Sequence, residues 1–329
     1  MLFTTSLNFL FFWMTWTTLV LSHSPLKVEL FGTLAVRLIF YLVPSVIFFL
    51  FDIALPSASL SFKAQGNVGL PSGHKRRKPT LNEAKIVGWS LFNILLGIAV
   101  QSAIELTLTR LLRWRSVIKV AVGLPYPWRI TIDVARGFIA REILNYSIHR
   151  FILHNPNFRF SRLHETWYHG LRAPWPLTAH YDHPLCYLLW KFVPIYLPTA
   201  LFRFHMTTYM VFLALVSLEE TFTHSGYSTL PVGLLLSGMA RRTEMHVITG
   251  GDGNYGAWGV LDWVGGSIPD ASDTIEDDVR AEIADLNIEE KIRKAVEDAR
   301  SHMGDAVAKE ANRAKTRRRA TRMLDIPNI

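Results

Sequence analysis

A single cysteine, Cys186, is all the chain carries in 329 residues. This excludes an internal disulfide and any thiolate metal cluster. Set in the apolar stretch PLCYLLW, it reads as a packing residue. No Gly-x-Ser-x-Gly elbow is present, so Ser225 in His-Ser-Gly-Tyr is not framed as a hydrolase nucleophile. The stretch Gly250 to Gly256 lacks the Gly-Lys-Ser/Thr ending of a phosphate loop and does not sit between a strand and a helix, which leaves a turn-rich lid. Neither an internal repeat nor a low-complexity tract is found. The first 22 residues have no basic n-region and no small-residue cleavage pattern, so they read as an uncleaved apolar anchor rather than a signal peptide.

What is present is apolar and aromatic: half of the residues belong to the hydrophobic set, and ten are tryptophan. The mean hydropathy is positive. This is the composition of a membrane protein. A net charge of +8 could point to nucleic acid, but the basic residues sit in short blocks beside apolar runs, as orienting charges and headgroup contacts do. No nucleic-acid partner is expected.

The expected fold is all-α, a multi-pass membrane helical bundle of about four to six apolar helices with a histidine-rich cap and a charged C-terminal helical tail. After the anchor, residues 28–55 are long enough to span a hydrocarbon core needing about 20 residues, with Arg37 snorkelling or facing protein and Pro44 kinking the helix. A polar connector follows, and its basic block His74 to Lys78 favours the cytosolic side. Residues 86–112 are again apolar, interrupted by Gln101 and Glu105. Two further runs, 185–201 and 206–218, flank a polar turn at Arg203 and His205 and read as a helical hairpin. Beyond Pro269 the chain turns charged, with Ile275, Val279, Ile283 and Leu286 at helical spacing; its basic end, 315–322, is either a solvated face or a contact with anionic lipid. These shifts divide the chain into anchor helices and connector (1–129), a histidine-rich domain (130–268) containing the hairpin, and a soluble tail helix (269–329).

Nine of the twelve histidines lie between His149 and His246. All but His205 fall into short clusters: HRFILH, HETWYH, HYDHP, His224 in THSGY and His246 in RTEMH. Imidazole is the commonest metal ligand, so this density in one segment points to a metal site. Residues 133–154 carry apolar positions at spacings of three and four, which suits an amphipathic interfacial helix ending near Asn155-Pro156. His149 and His154 are five apart, as are His164 and His169. In an ideal α-helix five residues turn about 500°, which takes the second ring off the face of the first, so each second histidine must lie in a re-aimed end turn. His23, His74, His205 and His302 stand apart and read as ordinary polar residues.

In its order of motifs, from HRFILH and HETWYH through Tyr-x-His-Pro and His-Ser-Gly-Tyr to a histidine shortly before Asn-Tyr-Gly, the chain resembles the fatty acid hydroxylase/sterol desaturase superfamily over roughly residues 130 to 268. The resemblance implies two iron ions bound on the cytosolic face of a membrane helical bundle, most naturally in the endoplasmic reticulum. It also implies an oxygen-dependent hydroxylation or desaturation of an apolar lipid, sterol or terpenoid-like substrate. Electrons would come from a redox partner such as a b-type cytochrome or its reductase. The implied ligand set is His149, His154, His164, His169, His183, His224 and His246, with His180 as an extra.

The chain departs from the family pattern at three places. Tyr168, Thr243 and Val247 stand where imidazoles are expected. Carboxylates can complete an iron site, which nominates Glu244, Asp182 and the pair Glu219-Glu220. Glu244, Glu220 and Tyr168 are the candidate catalytic side chains. Two alternatives stay open: a non-redox enzyme using His and Glu as acid and base (an isomerase, cyclase or hydrolase), and a lipid-binding membrane protein with a vestigial site.

Overall fold

The computed structural model describes residues 2–63, 69–71, 80–227 and 234–269, together with Arg293, Glu297, Arg300 and Ser301. The basic block at 74–78 and the rest of the tail lie outside the described residues. Within them the chain is mostly helical, without a strand. A lone backbone bridge joins Lys119 to His205.

Helix α1 (Leu2–Ser22) is apolar, and a 30-residue helix, α2 (Pro25–Ala54), follows it. After the short α3 (Pro56–Phe62) comes α4 (Leu81–Leu111), which begins with a capping box in which Thr80 and Glu83 satisfy one another's backbone donors. Then come α5 (Pro127–Ile148), α6 (Arg159–Trp167), α7 (Pro184–Leu201), α8 (Met206–Thr223), α9 (Leu234–Ile248) and α10 (Val260–Gly265). Three of these, α2, α4 and α7, are long and apolar enough to cross a membrane.

Proline shapes two of the three. A proline has no amide hydrogen, and its ring meets the carbonyl four residues back. Pro44 follows a π turn at Leu38–Leu42, and Pro194 follows another at Leu188–Phe192. In both cases the carbonyl that would be met belongs to the widened turn, and this relieves the clash within an unbroken span.

The outer surface is apolar. Phe31, Ile39, Ile47 and Leu50 of α2, and Phe92 and Leu95 of α4, are all exposed, as lipid contact requires. Polar side chains face inward and find partners there. Gln101 on α4 donates to Glu29 at 2.7 Å and accepts from Tyr209 at 3.1 Å. Arg37 faces protein rather than snorkelling, and its ion pair with Glu220 is 2.5 Å long.

Helix α5 reverses the usual soluble pattern. Arg141, Glu142 and Asn145 are buried, while Ile132, Ile139, Ile143 and Phe151 are exposed. Its amphipathicity is therefore turned inside out, with the apolar stripe facing outward and the polar stripe facing the site. Close approach to α8 depends on Gly137, where a Cβ would stand 3.0 Å from Phe204 and 3.1 Å from Phe212. The two helices of the expected hairpin, α7 and α8, are joined by a short turn in which Arg203 takes a left-handed conformation; both pack against α5.

One apolar cluster gathers Val28, Val36, Ile195, Phe204, Met206, Phe212 and Val216. A second, built on Leu153, Tyr168, Trp175, Leu177, Cys186, Trp190 and Val247, surrounds the histidines and keeps solvent from them. Cys186 is buried there, in the packing role its surroundings imply.

Candidate metal centre

The five-residue histidine spacing has a specific structural cause. Residues His149–Leu153 form a π turn that extends α5, and the amide of His154 donates to the carbonyl of His149 at 3.0 Å. A hydrogen bond spanning five residues stacks the two side chains one turn apart, as a spacing of four does in an α-helix. The amide of His169 reaches back to the carbonyl of His164 in the same way, at 3.5 Å.

His149, His154, His164 and His246 bring one ring nitrogen each within 4.8 Å of one another. His169 joins them through His154, with their Nε2 atoms 3.3 Å apart. The Nε2 atoms of His149 and His164 are likewise 3.3 Å apart.

Which nitrogen carries the proton follows from the partners. Nδ1 of His149 donates to the carbonyl of Tyr255 at 2.8 Å, and Nδ1 of His246 to the carbonyl of Gly253 at 2.6 Å. A carbonyl can only accept, so both rings present a bare lone pair on Nε2. His164 donates from Nδ1 to Asp182 at 2.7 Å, which sets the same tautomer. Three Nε2 lone pairs therefore face one another in a buried pocket, and that of His246 has no hydrogen-bond partner. Lone pairs converging without a donor are unfavourable unless a cation lies between them. A nitrogen separation of 3.3 Å suits two ligands sharing an ion at about 2.0–2.1 Å from each. The donor set fits a metal, with the carbonyls and Asp182 as the outer groups that orient ligating imidazoles.

Burial, and then the neighbouring imidazoles, hold His149 and His246 well below the ordinary histidine range. Burial similarly lowers His154 to about 2, His164 to about 3 and His169 to about 4. The rings are thus ready for a metal without first losing a proton. They also tie metal-free stability to pH. Each ring is neutral in the fold but protonates near pH 6.5 once unfolded, so its contribution is full above that pH and is lost as pH falls toward the folded value. The melting temperature of chelator-treated protein is expected to drop steadily from about pH 7 to about pH 5, and to change little between about pH 7 and pH 8.

The glycine-rich stretch read as a lid is the part that supplies the two carbonyls. Gly250, Gly251, Gly253 and Asn254 all take positive φ, which turns the chain sharply enough to aim Gly253 and Tyr255 at the rings. Asp262 holds this loop by accepting from the amides of Tyr255 at 2.8 Å and Gly256 at 2.7 Å, and from the Ser267 hydroxyl at 2.7 Å. Glu142 accepts from the amide of Trp258 at 3.0 Å. Asp262 and Glu142 were not singled out from the sequence; a carboxylate shortly after a glycine-rich turn was the available signal.

Gly251, at φ 98°, has no room for a side chain, because a Cβ would lie 2.3 Å from Cε1 of His154 and 3.1 Å from Cε1 of His169. Gly251→Ala is expected to displace both rings and lower metal affinity by about 10–100-fold while leaving the spans folded; metal titration of the purified variant beside its circular dichroism checks both halves.

The remaining predicted residues lie elsewhere. His183 caps the start of α7, accepting from the amide of Leu185 at 3.3 Å, away from the cluster. His224 ends α8, where Tyr168 donates its hydroxyl to Nε2 at 3.2 Å. His180 is buried with Nε2 3.3 Å from Glu220. Tyr168 stacks on His164, with centroids 5.1 Å apart. Glu244, two positions before His246, points about 200° round the helix from it; burial raises its carboxyl to about 7, with Lys63 the nearest opposing charge. Beside the cluster lies a small cavity of about 30 Å³, bordered by His149, His246, Tyr168, Lys191, Glu220 and Thr243.

Residues 134–267 match the fatty acid hydroxylase family. The segment carrying all five clustered histidines is thus a domain of that family, within the sterol desaturase-like superfamily. Among curated proteins, the chain is similar to methylsterol monooxygenase 1-2 of Arabidopsis thaliana, at 31% identity over 34% of this chain and 36% of that protein. Methylsterol monooxygenase 1-1 of the same plant is 29% identical, over 34% of this chain and 37% of its own length. The chain therefore matches just over a third of the length of these relatives. No solved structure matches it.

Proposed function

We propose that this protein is a membrane-bound, iron-dependent oxidoreductase that hydroxylates or desaturates an apolar lipid, with a sterol as the leading substrate class. The observation that carries this reading is the convergence of buried Nε2 lone pairs whose tautomers are set by outer carbonyls and a carboxylate. The family match and the sterol-oxidising relatives support the reaction class. In this reading His149, His154, His164, His169 and His246 hold iron, and bound iron supplies oxygen activation. The chain's own residues do the rest. Asp182, Gly253 and Tyr255 fix the rings, and the apolar cluster around Leu153 and Trp190 excludes water.

The apolar outer faces of α2 and α4 suit a substrate arriving from the bilayer. An external electron donor, a b-type cytochrome or its reductase, would dock where the histidine cap meets the cytosol, with the protein in the endoplasmic reticulum. Acid–base chemistry by Glu244 has less support, since that carboxyl faces Lys63 rather than the cavity.

The test is conversion by the detergent-purified full chain supplied with iron, a reductant and a sterol or fatty-acyl lipid under oxygen. The expected product gains one oxygen atom or loses one pair of hydrogens, and only when oxygen and iron are both present. Product formation that persists under argon, or after iron is removed, would overturn the reading.

A further inference from the structure

The resemblance calls for two ions, but the side chains beyond the five-histidine cluster argue for one. We propose that the protein binds a single metal ion, and that the Lys191 amine takes the place of a second ion in the cavity beside it. The inference rests on the metal reading above.

Outside the cluster, His224, Glu219 and Glu220 border that cavity and are already engaged, and His180 lies behind Glu220. His224 donates from Nδ1 to the carbonyl of Glu220 at 3.0 Å. Its Nε2 receives the Tyr168 hydroxyl at 3.2 Å. Both ring nitrogens are therefore spent, and Tyr168, at a position where an imidazole is expected, is what spends the second. Glu220 is held by Arg37 at 2.5 Å and lies 3.3 Å from His180. Glu219 is held by Arg141 at 2.8 Å. The other two departures add no donor nitrogen. Thr243 borders the cavity with a short side chain, and Val247 packs in the apolar cluster. What stays open at the cavity is Oε1 of Glu220 and Oδ1 of Asn145, with the ring of His180 behind Glu220. That is short of the four donors a tetrahedral protein site uses.

Charge points the same way. Arg37 and Arg141 already neutralise Glu220 and Glu219, and Lys191 borders the cavity as a further cation. Guanidinium groups cannot be discharged. Lys191 stands over the Trp190 ring at 3.9 Å from its centroid and borders the cavity that His149 and His246 share. Among the described residues no carboxylate lies within ion-pair distance of its amine. A divalent ion here would meet an unneutralised cation and would have to strip Arg37 or Arg141 from its partner.

The experiment is the metal-to-chain ratio of the full-length protein in detergent, stripped with chelator and reloaded with Co(II) alone, measured by mass spectrometry of the metal against amino-acid analysis. The expected ratio is about one in the wild type, in His224→Ala and in His180→Ala, and near zero in His246→Ala. A ratio of two that falls to one in His224→Ala would overturn the proposal. A ratio of zero throughout would instead overturn the metal reading beneath it. Lys191→Met is expected to keep the ratio at one while shifting the Co(II) absorption bands; an unchanged spectrum would remove the amine from the ion's surroundings.

Discussion

Replacing His246 with alanine is expected to abolish metal retention and, with it, any oxygen-dependent conversion. Its Nε2 is buried without a partner, and its Nδ1 is fixed by the carbonyl of Gly253 at 2.6 Å. It is therefore oriented by the fold for one purpose, and solvent has no route to replace it. Outer groups that only aim a ligand are worth about 10–100-fold in metal affinity, so losing the ligand should cost more than that. His183→Ala is the matched control. That ring caps α7 and stands outside the cluster, so the variant should hold as much metal as the wild type. Equal metal loss in both variants would mean that the cluster is not what binds.

The second large effect concerns stability. Arg37 and Glu220 form a 2.5 Å pair with side chains 8% and 2% exposed, and Arg37 also donates to Ser217 at 3.0 Å. Arg37→Met would leave Glu220 buried with its strongest partner gone. Removing one member of a buried pair costs about 3–5 kcal/mol, because the surviving charge keeps its desolvation penalty. Arg37→Met combined with Glu220→Gln should recover most of that loss, since neither position then carries a charge. Unfolding of the three proteins in mixed micelles measures the difference. A double variant as unstable as the single one would show that packing of the long arginine stem, rather than charge, is what matters there.

Much of this architecture was legible in the sequence, and the reason is physical. A span needs a long apolar run, and an apolar run is visible in one dimension; α2, α4 and α7 lie where the runs at 28–55, 86–112 and 185–201 predicted helices. The histidine segments were legible because imidazoles seldom crowd together without cause. What escaped was whatever depends on partners remote in sequence. The polar stripe of α5 turns inward toward the histidines, so the hydrophobic pattern alone gave the helix but not which face is the core. Asp182, named only as a spare carboxylate, serves to orient His164. The pairing of Tyr168 with His224 joins residues 56 positions apart, and no spacing rule announces it. Asp262 acts through backbone amides, which leave no trace in residue identity.

The π turn at His149–Leu153 sets how this segment tolerates changes in length as opposed to changes in kind. Swapping Ile152 for leucine keeps the five-residue step from the carbonyl of His149 to the amide it receives. Inserting a residue after Ile152 places the second histidine six positions on, which neither the widened nor the ordinary winding stacks on His149, and swings it by about 100°. The apolar content would be almost untouched, yet one ring would leave the cluster. For this stretch the count of residues is a more stringent requirement than their chemistry, and a comparison that scores only matching letters would miss the change that matters most.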